Sequence, residues 1–82
     1  PQIGDVYEFK TESRYYSTFK VLEVTTDSLY IVYNSFETDR IGEVDKIDIA
    51  SNYLGMKYAI SREQTQKMYN DKEIYDINRK QH

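Results

Sequence analysis

Two alternating segments joined by a short polar loop constrain the fold of this chain most. Residues 15–24 and 29–35 are rich in β-branched and aromatic side chains, and the sequence "TTDS" separates them. The loop can be counted as two residues (26–27) or as four (25–28). Val24 lies opposite Leu29 in both cases, because the two loops are centred on the same point and give the same strand register. The sequence therefore predicts an antiparallel hairpin with a defined register.

This register divides the side chains of the hairpin between two faces. The first set is apolar apart from a tyrosine hydroxyl and is expected to face the core: Leu22, Val24, Leu29, Ile31 and Tyr33. The second set is mixed: Phe19, Val21, Glu23, Tyr30 and Val32. Because the second face is too apolar to stand bare in water, we expect a helix to cover its Phe19/Val21/Val32 part or to cap one end of the sheet.

Three further segments carry strand patterns. Residues 3–11 alternate apolar and charged side chains, and residues 57–60 form a shorter apolar stretch. Residues 40–49, "RIGEVDKIDI", alternate imperfectly, and Gly42 is expected to mark a bulge or bend there. These segments bring the expected number of strands to five.

The segment "SREQTQKMY" predicts a C-terminal helix over residues 62–71. Ser61 is the expected N-cap, and Gln64 completes the spacing of a capping box. Thr65, Met68 and Tyr69 recur at spacings of three and four, which is typical of a helix face that packs on a sheet. After Asn70 the pattern changes, and residues 74–78 are expected to pack as a short strand or extended tail.

The fold class that follows is mainly β (α+β): a small, strongly bent antiparallel sheet or SH3-like barrel of about five strands with one C-terminal helix. The "GDVYEF" opening and the "FKVLEVTTDSLYIVY" hairpin resemble the opening strands of SH3-like barrels over roughly residues 3–60. The helix is an addition to the five-stranded barrel that this resemblance implies. Residues 1–82 are interpreted as a single small domain.

Composition excludes several kinds of function. The 82 residues include no cysteine, which removes disulfide scaffolds, thiolate metal sites and cysteine nucleophiles. The formal net charge of −3 argues against a duplex-binding domain, whose affinity depends on basic side chains. No apolar run is long enough to span a membrane.

The first residue of the chain suggests a localisation, whereas the last residue does not. The chain opens with Pro1 rather than methionine, which predicts that a leader, a lipid-anchor segment or a longer neighbouring sequence was removed upstream. This favours an exported or envelope-anchored protein. His82 is native or the start of a tag, so no chemistry is assigned to it.

Catalytic and cofactor motifs do not occur in the sequence. His82 is the one histidine, no serine lies in a G-x-S-x-G context, and Gly4, Gly42 and Gly55 are too far apart for a phosphate loop. The acidic run "ETDRIGEVDKID" has no D-x-D-x-D-G spacing and is interpreted as a solvated strand edge. We therefore expect no enzyme activity, no cofactor and no metal site.

The nine tyrosines are the best remaining evidence for function. Tyr7, Tyr33 and Tyr58 are expected in the core or at its rim, whereas exposed tyrosines suit protein interfaces. The candidate binding residues are Tyr15, Tyr16 and Tyr30 together with an acidic edge that includes Glu37, Asp39 and Glu43. The alternative is that all of these rings only stabilise the sheet.

The leading functional hypothesis is a non-enzymatic domain that binds another protein. Its specific form is a small acidic inhibitor or immunity-type protein of the bacterial envelope that masks a basic site. One alternative is a nucleic-acid-binding small barrel, because Arg14 and Lys20 flank aromatic residues in "KTESRYYSTFK". Another is a structural accessory domain of a longer exported protein.

Overall fold

In the computed structural model, which describes residues 1–79, five strands form one antiparallel sheet in the order β4-β3-β2-β1-β5. The strands are β1 (Asp5–Lys10), β2 (Tyr16–Val24), β3 (Ser28–Tyr33), β4 (Lys57–Ser61) and β5 (Ile74–Arg79). The sheet is open, with β4 and β5 at its two edges. The predicted mainly-β α+β fold is confirmed in its open-sheet form rather than as a closed barrel. His82 lies outside the described residues.

Within residues 1–79, two α-helices and two 3₁₀ segments accompany the sheet. Helix α1 (Val44–Ile47) is a single short turn, and helix α2 (Arg62–Asn70) lies between β4 and β5. The 3₁₀ segments are Ile41–Glu43 and Ala50–Asn52. No helix within residues 1–79 is both long and apolar enough to cross a membrane.

Helix α2 begins where the sequence predicts and ends one residue earlier, at Asn70. The side-chain oxygen of Ser61 accepts a hydrogen bond of 2.9 Å from the Gln64 amide, which is the N-cap half of the predicted capping box. Thr65 is buried, and Met68 packs against the core cluster. Tyr69 was expected to pack on the sheet but is 51% exposed, so the buried stripe of α2 is narrower than predicted.

The predicted register of the hairpin is correct at its turn, whereas the predicted faces are partly wrong. Val24 pairs with Leu29, as expected, but an irregularity between Val21 and Glu23 leaves Leu22 as an extra residue in β2. An extra residue inverts the alternation of side chains beyond it. Leu22 is therefore exposed rather than in the core, and Phe19 and Val21 lie on the core face instead of the mixed face.

The core fills the face of the sheet that α2 covers. Its buried cluster consists of Tyr7, Phe19, Val21, Leu29, Ile31 and Ile74. The rings of Tyr7 and Phe19 stack with their centroids 5.0 Å apart. The helix thus packs on the face that contains Phe19 and Val21, as expected, but Val32 alternates to the opposite face. Ile74 is fully buried, so the predicted packing of the last segment is confirmed.

Residues 34–53 cover part of the opposite face. The strand predicted for residues 40–49 is wrong, because this segment forms a 3₁₀ turn followed by α1. Ile41, Val44 and Ile47 are spaced by three residues, which suits a helical turn as well as an imperfect alternation. Helix α1 lies against β2, and Val44 is buried.

Candidate protein-binding surface

A pair of backbone hydrogen bonds brings two of the predicted site segments together. The Tyr16 amide donates to the Thr38 carbonyl at 2.7 Å, and the Thr38 amide donates to the Tyr16 carbonyl at 2.8 Å. Tyr15 precedes Tyr16 in the chain, while Glu37 and Asp39 flank Thr38. The first tyrosine and the two acids of the predicted site therefore meet beside the N-terminal end of β2.

Phe36 directly precedes Glu37 in the same exposed segment and was missed by the sequence analysis. Its amide donates to Asn34 Oδ1 at 2.8 Å, and its carbonyl accepts from Ser17 Oγ at 2.7 Å. The backbone is thus held on both sides, yet the side chain is 59% exposed. We call Tyr15, Phe36, Glu37 and Asp39 the aromatic–acidic surface.

A buried relay of hydrogen bonds fixes the loop that carries this surface. Asn34 Nδ2 donates to the Thr18 hydroxyl at 3.1 Å and to the Ile47 carbonyl at 2.7 Å. The Tyr53 hydroxyl lies 2.6 Å from the Thr18 hydroxyl and donates to Asp48 Oδ1 at 2.6 Å. The Tyr53 hydroxyl has one proton, which it donates in the hydrogen bond to Asp48. In the contact between the two hydroxyls, Thr18 must therefore be the donor and the Tyr53 oxygen the acceptor.

The state of Tyr53 is consistent with this direction of donation. Burial raises the pKa of its phenol well above the ordinary value, and the hydrogen bond to Asp48 raises this pKa further. Tyr53 therefore remains protonated and keeps donating throughout the neutral range. The relay joins β2 to residues 34, 48 and 53, which fixes the position of the loop next to Phe36.

The surface carries two negatively charged side chains. Glu37 and Asp39 are exposed and make no salt bridge with the side chains that the structure describes. Glu43, by contrast, lies 3.6 Å from the ammonium group of Lys46, so part of its charge is balanced locally. A docking partner would meet the full charge of Glu37 and Asp39.

The remaining tyrosine candidates have other surroundings. Tyr16 is half-buried, and its ring meets that of Tyr75 edge-on at 5.8 Å. Tyr30 pairs with Glu23 near the far end of β2, roughly 23 Å from Tyr16 at the rise of a strand. Lys57 Nζ stands 5.1 Å from the centroid of the Tyr30 ring. The structure thus brings together Tyr15, Glu37 and Asp39, but not Tyr30.

A second set of interacting polar side chains lies between β1 and β5. The carboxylate of Glu8 accepts a hydrogen bond from Asn78 Nδ2. Burial raises the pKa of this carboxyl, and the nearby charge of Asp76 adds to the effect despite the opposing hydrogen bond from Asn78. Within residues 1–79, no group of three or more acidic or histidine side chains is arranged to hold a metal ion.

Comparison of the chain with protein-family models, curated proteins and solved structures finds no match. Function is therefore inferred from the chemistry of the surface itself. Its strongest feature is an exposed aromatic ring on a backbone that is hydrogen-bonded on both sides, in the same segment as two carboxylates that make no salt bridge within residues 1–79.

Proposed function

We propose that this chain is a non-enzymatic domain that binds another protein through the aromatic–acidic surface. The observation that carries the proposal is Phe36, whose ring is exposed although its backbone is fixed by Asn34 and Ser17. Aromatic side chains are enriched at the centres of protein interfaces. A ring on a rigid backbone also loses little conformational freedom on binding, which favours affinity.

The charges around the ring favour a basic partner. Glu37 and Asp39 flank the bridge to β2 and have no salt bridge in the described part of the chain. The formal net charge of −3 would attract a positively charged partner before contact. The specific form that we propose is an acidic inhibitor or immunity-type protein that masks a basic site on an enzyme or toxin.

Site-specific photo-crosslinking tests this proposal. Position 36 would carry benzoyl-phenylalanine, and the matched control would carry it at Leu54, which is 81% exposed in the loop before β4. In lysate and envelope fractions of the source organism, we expect a discrete protein adduct from position 36. Excess unlabelled protein should suppress this adduct, and position 54 should not produce it.

Two treatments of the same sample separate the alternatives. A competitor carrying Glu37→Gln and Asp39→Asn should suppress the adduct less than the unaltered chain, because the acids contribute to binding. Nuclease should leave the adduct intact, whereas its loss would favour nucleic-acid binding instead. Equal adducts from both positions, or none from either, would count against the aromatic–acidic surface.

A further inference from the structure

A cavity of about 290 Å³ lies between α2 and the core face of the sheet. Its floor is apolar and includes Tyr7, Leu29 and Ile77, while Thr65 and Tyr69 of α2 form part of its wall. Tyr69, which is 51% exposed, lines this cavity rather than being buried against the sheet. The cavity is distinct from the aromatic–acidic surface, since Leu29 pairs with Val24 at the other end of β2.

Arg62 gives the cavity a positive charge. It is the one charged side chain on the lining that the structure describes, and Pro1 also lines the cavity. Its guanidinium makes no ion pair within residues 1–79 and reaches only a long contact of 3.4 Å to the Thr25 carbonyl. The Arg62 amide donates to the Asp27 carbonyl at 2.9 Å, which fixes the backbone from which the side chain extends.

We propose that this cavity binds a small amphipathic anion, with its apolar body on the floor and its carboxylate on Arg62. Arginine pairs with carboxylates through two parallel hydrogen bonds, and apolar lining with one placed polar group is typical of ligand sites. At about 30 Å³ for each water-sized group, the cavity holds roughly ten non-hydrogen atoms. Octanoate has this size and this chemistry, so it is the probe.

The test is an amide NMR titration of the full chain with octanoate and with octanamide, which has the same apolar body but no charge. We expect chemical-shift changes concentrated at Leu29, Thr65, Tyr69 and Ile77. Octanoate should bind at least roughly tenfold more tightly than octanamide, because a hydrogen bond to a charged group contributes more than a neutral one. Equal affinities, or shifts centred elsewhere, would overturn the proposal.

Two variants and a control assign the result to the cavity. Arg62→Gln should abolish the preference for octanoate over octanamide, and Thr65→Leu should weaken both ligands by filling the space. The matched control is Arg40→Gln, which removes the same charge from an exposed position away from the cavity and should leave both affinities unchanged. Retention of the preference in Arg62→Gln, or its loss in Arg40→Gln, would contradict the assigned role of Arg62.

Discussion

Phe19 and Phe36 have the same side chain but lie in opposite environments. Phe19 is completely buried and stacks on Tyr7, so its truncation to alanine would cost about 3–5 kcal/mol of stability. Phe36 keeps 59% of its surface exposed, and its backbone rather than its ring is tied to the fold. Substitutions at Phe36 therefore test binding with little effect on folding.

At the residue scale, Glu8→Gln should change how stability depends on pH. Burial raises the folded-state pKa of Glu8 above the ordinary value of 4.5, so the folded chain holds this proton at pH values where the unfolded chain has lost it. The wild type therefore loses stability as pH rises from the ordinary pKa of Glu8 through its raised pKa in the folded state. Glu8→Gln lacks this loss and should gain stability relative to the wild type as pH rises above 4.5.

Denaturant unfolding at several pH values measures this difference. Glu12→Gln, in the exposed β1–β2 loop, is the matched control for removing one negative charge. A stability difference between Glu8→Gln and the wild type that stays constant with pH, or that shrinks as pH rises, would contradict the expected desolvation of Glu8.

At the scale of elements, Asn34 connects β3 to the loop that carries the aromatic–acidic surface. Asn34→Ala removes the acceptor of the Phe36 amide and the donors to Thr18 and Ile47. We expect the Phe36 amide to lose protection against hydrogen exchange and the chain to lose about 2 kcal/mol of stability.

Hydrogen exchange measured by NMR checks this expectation. Asn70→Ala is the matched control, because it removes an exposed amide at the end of α2 and should leave the exchange of Phe36 unchanged. Unchanged protection of Phe36 in Asn34→Ala would show that other contacts hold this backbone.

The start of α2 gives a second prediction at this scale. Ser61→Ala leaves the Gln64 amide without its acceptor and should reduce the free energy of unfolding by about 1 kcal/mol. Denaturant unfolding measures the loss, with Ser35→Ala as the control at an exposed serine whose side chain makes no hydrogen bond with the described residues. Equal stabilities of the two variants would contradict the capping role of Ser61.

Elements with local signals could be predicted from sequence, whereas elements set by long-range packing could not. Helix α2 has its cap and its polar end within the segment itself, and loop parity alone defines the pairing of Val24 with Leu29. No residue pattern marks Leu22 as an extra residue in β2, yet this one bulge reverses the faces of Phe19 and Val21. Residues 40–49 fit a helical turn and a strand equally, and only packing on β2 decides between them.

The residues of the candidate surface likewise separate into those that could be predicted from sequence and one that could not. Residue type and exposure pointed to Tyr15, Glu37 and Asp39, which the bridge between Tyr16 and Thr38 brings together. Phe36 was missed because the hydrogen bond that holds its carbonyl comes from Ser17 in β2, nineteen residues away in the sequence. Asparagine directly after a strand, as at Asn34, was the available signal, since such side chains often bond to nearby backbone groups.

At the scale of the whole molecule, β2 is the central strand, and two different proposed sites lie near its two ends. The aromatic–acidic surface lies beside Tyr16, whereas the cavity under α2 includes Leu29, the partner of Val24. Each site can therefore be altered without touching the other. A sheet of this size has modest stability, so the stability of each variant has to be measured beside its binding.

The most direct measurement is the affinity of the crosslinked partner for Phe36→Ala, determined by calorimetry beside the wild type and Leu54→Ala. Both variants truncate an exposed apolar side chain. Unfolding curves check that their stabilities match that of the wild type. Our account predicts that Phe36→Ala binds at least roughly thirtyfold more weakly, the effect of an interface hot spot, while Leu54→Ala binds as the wild type does. Equal affinities of all three proteins would contradict the central role of Phe36 in binding.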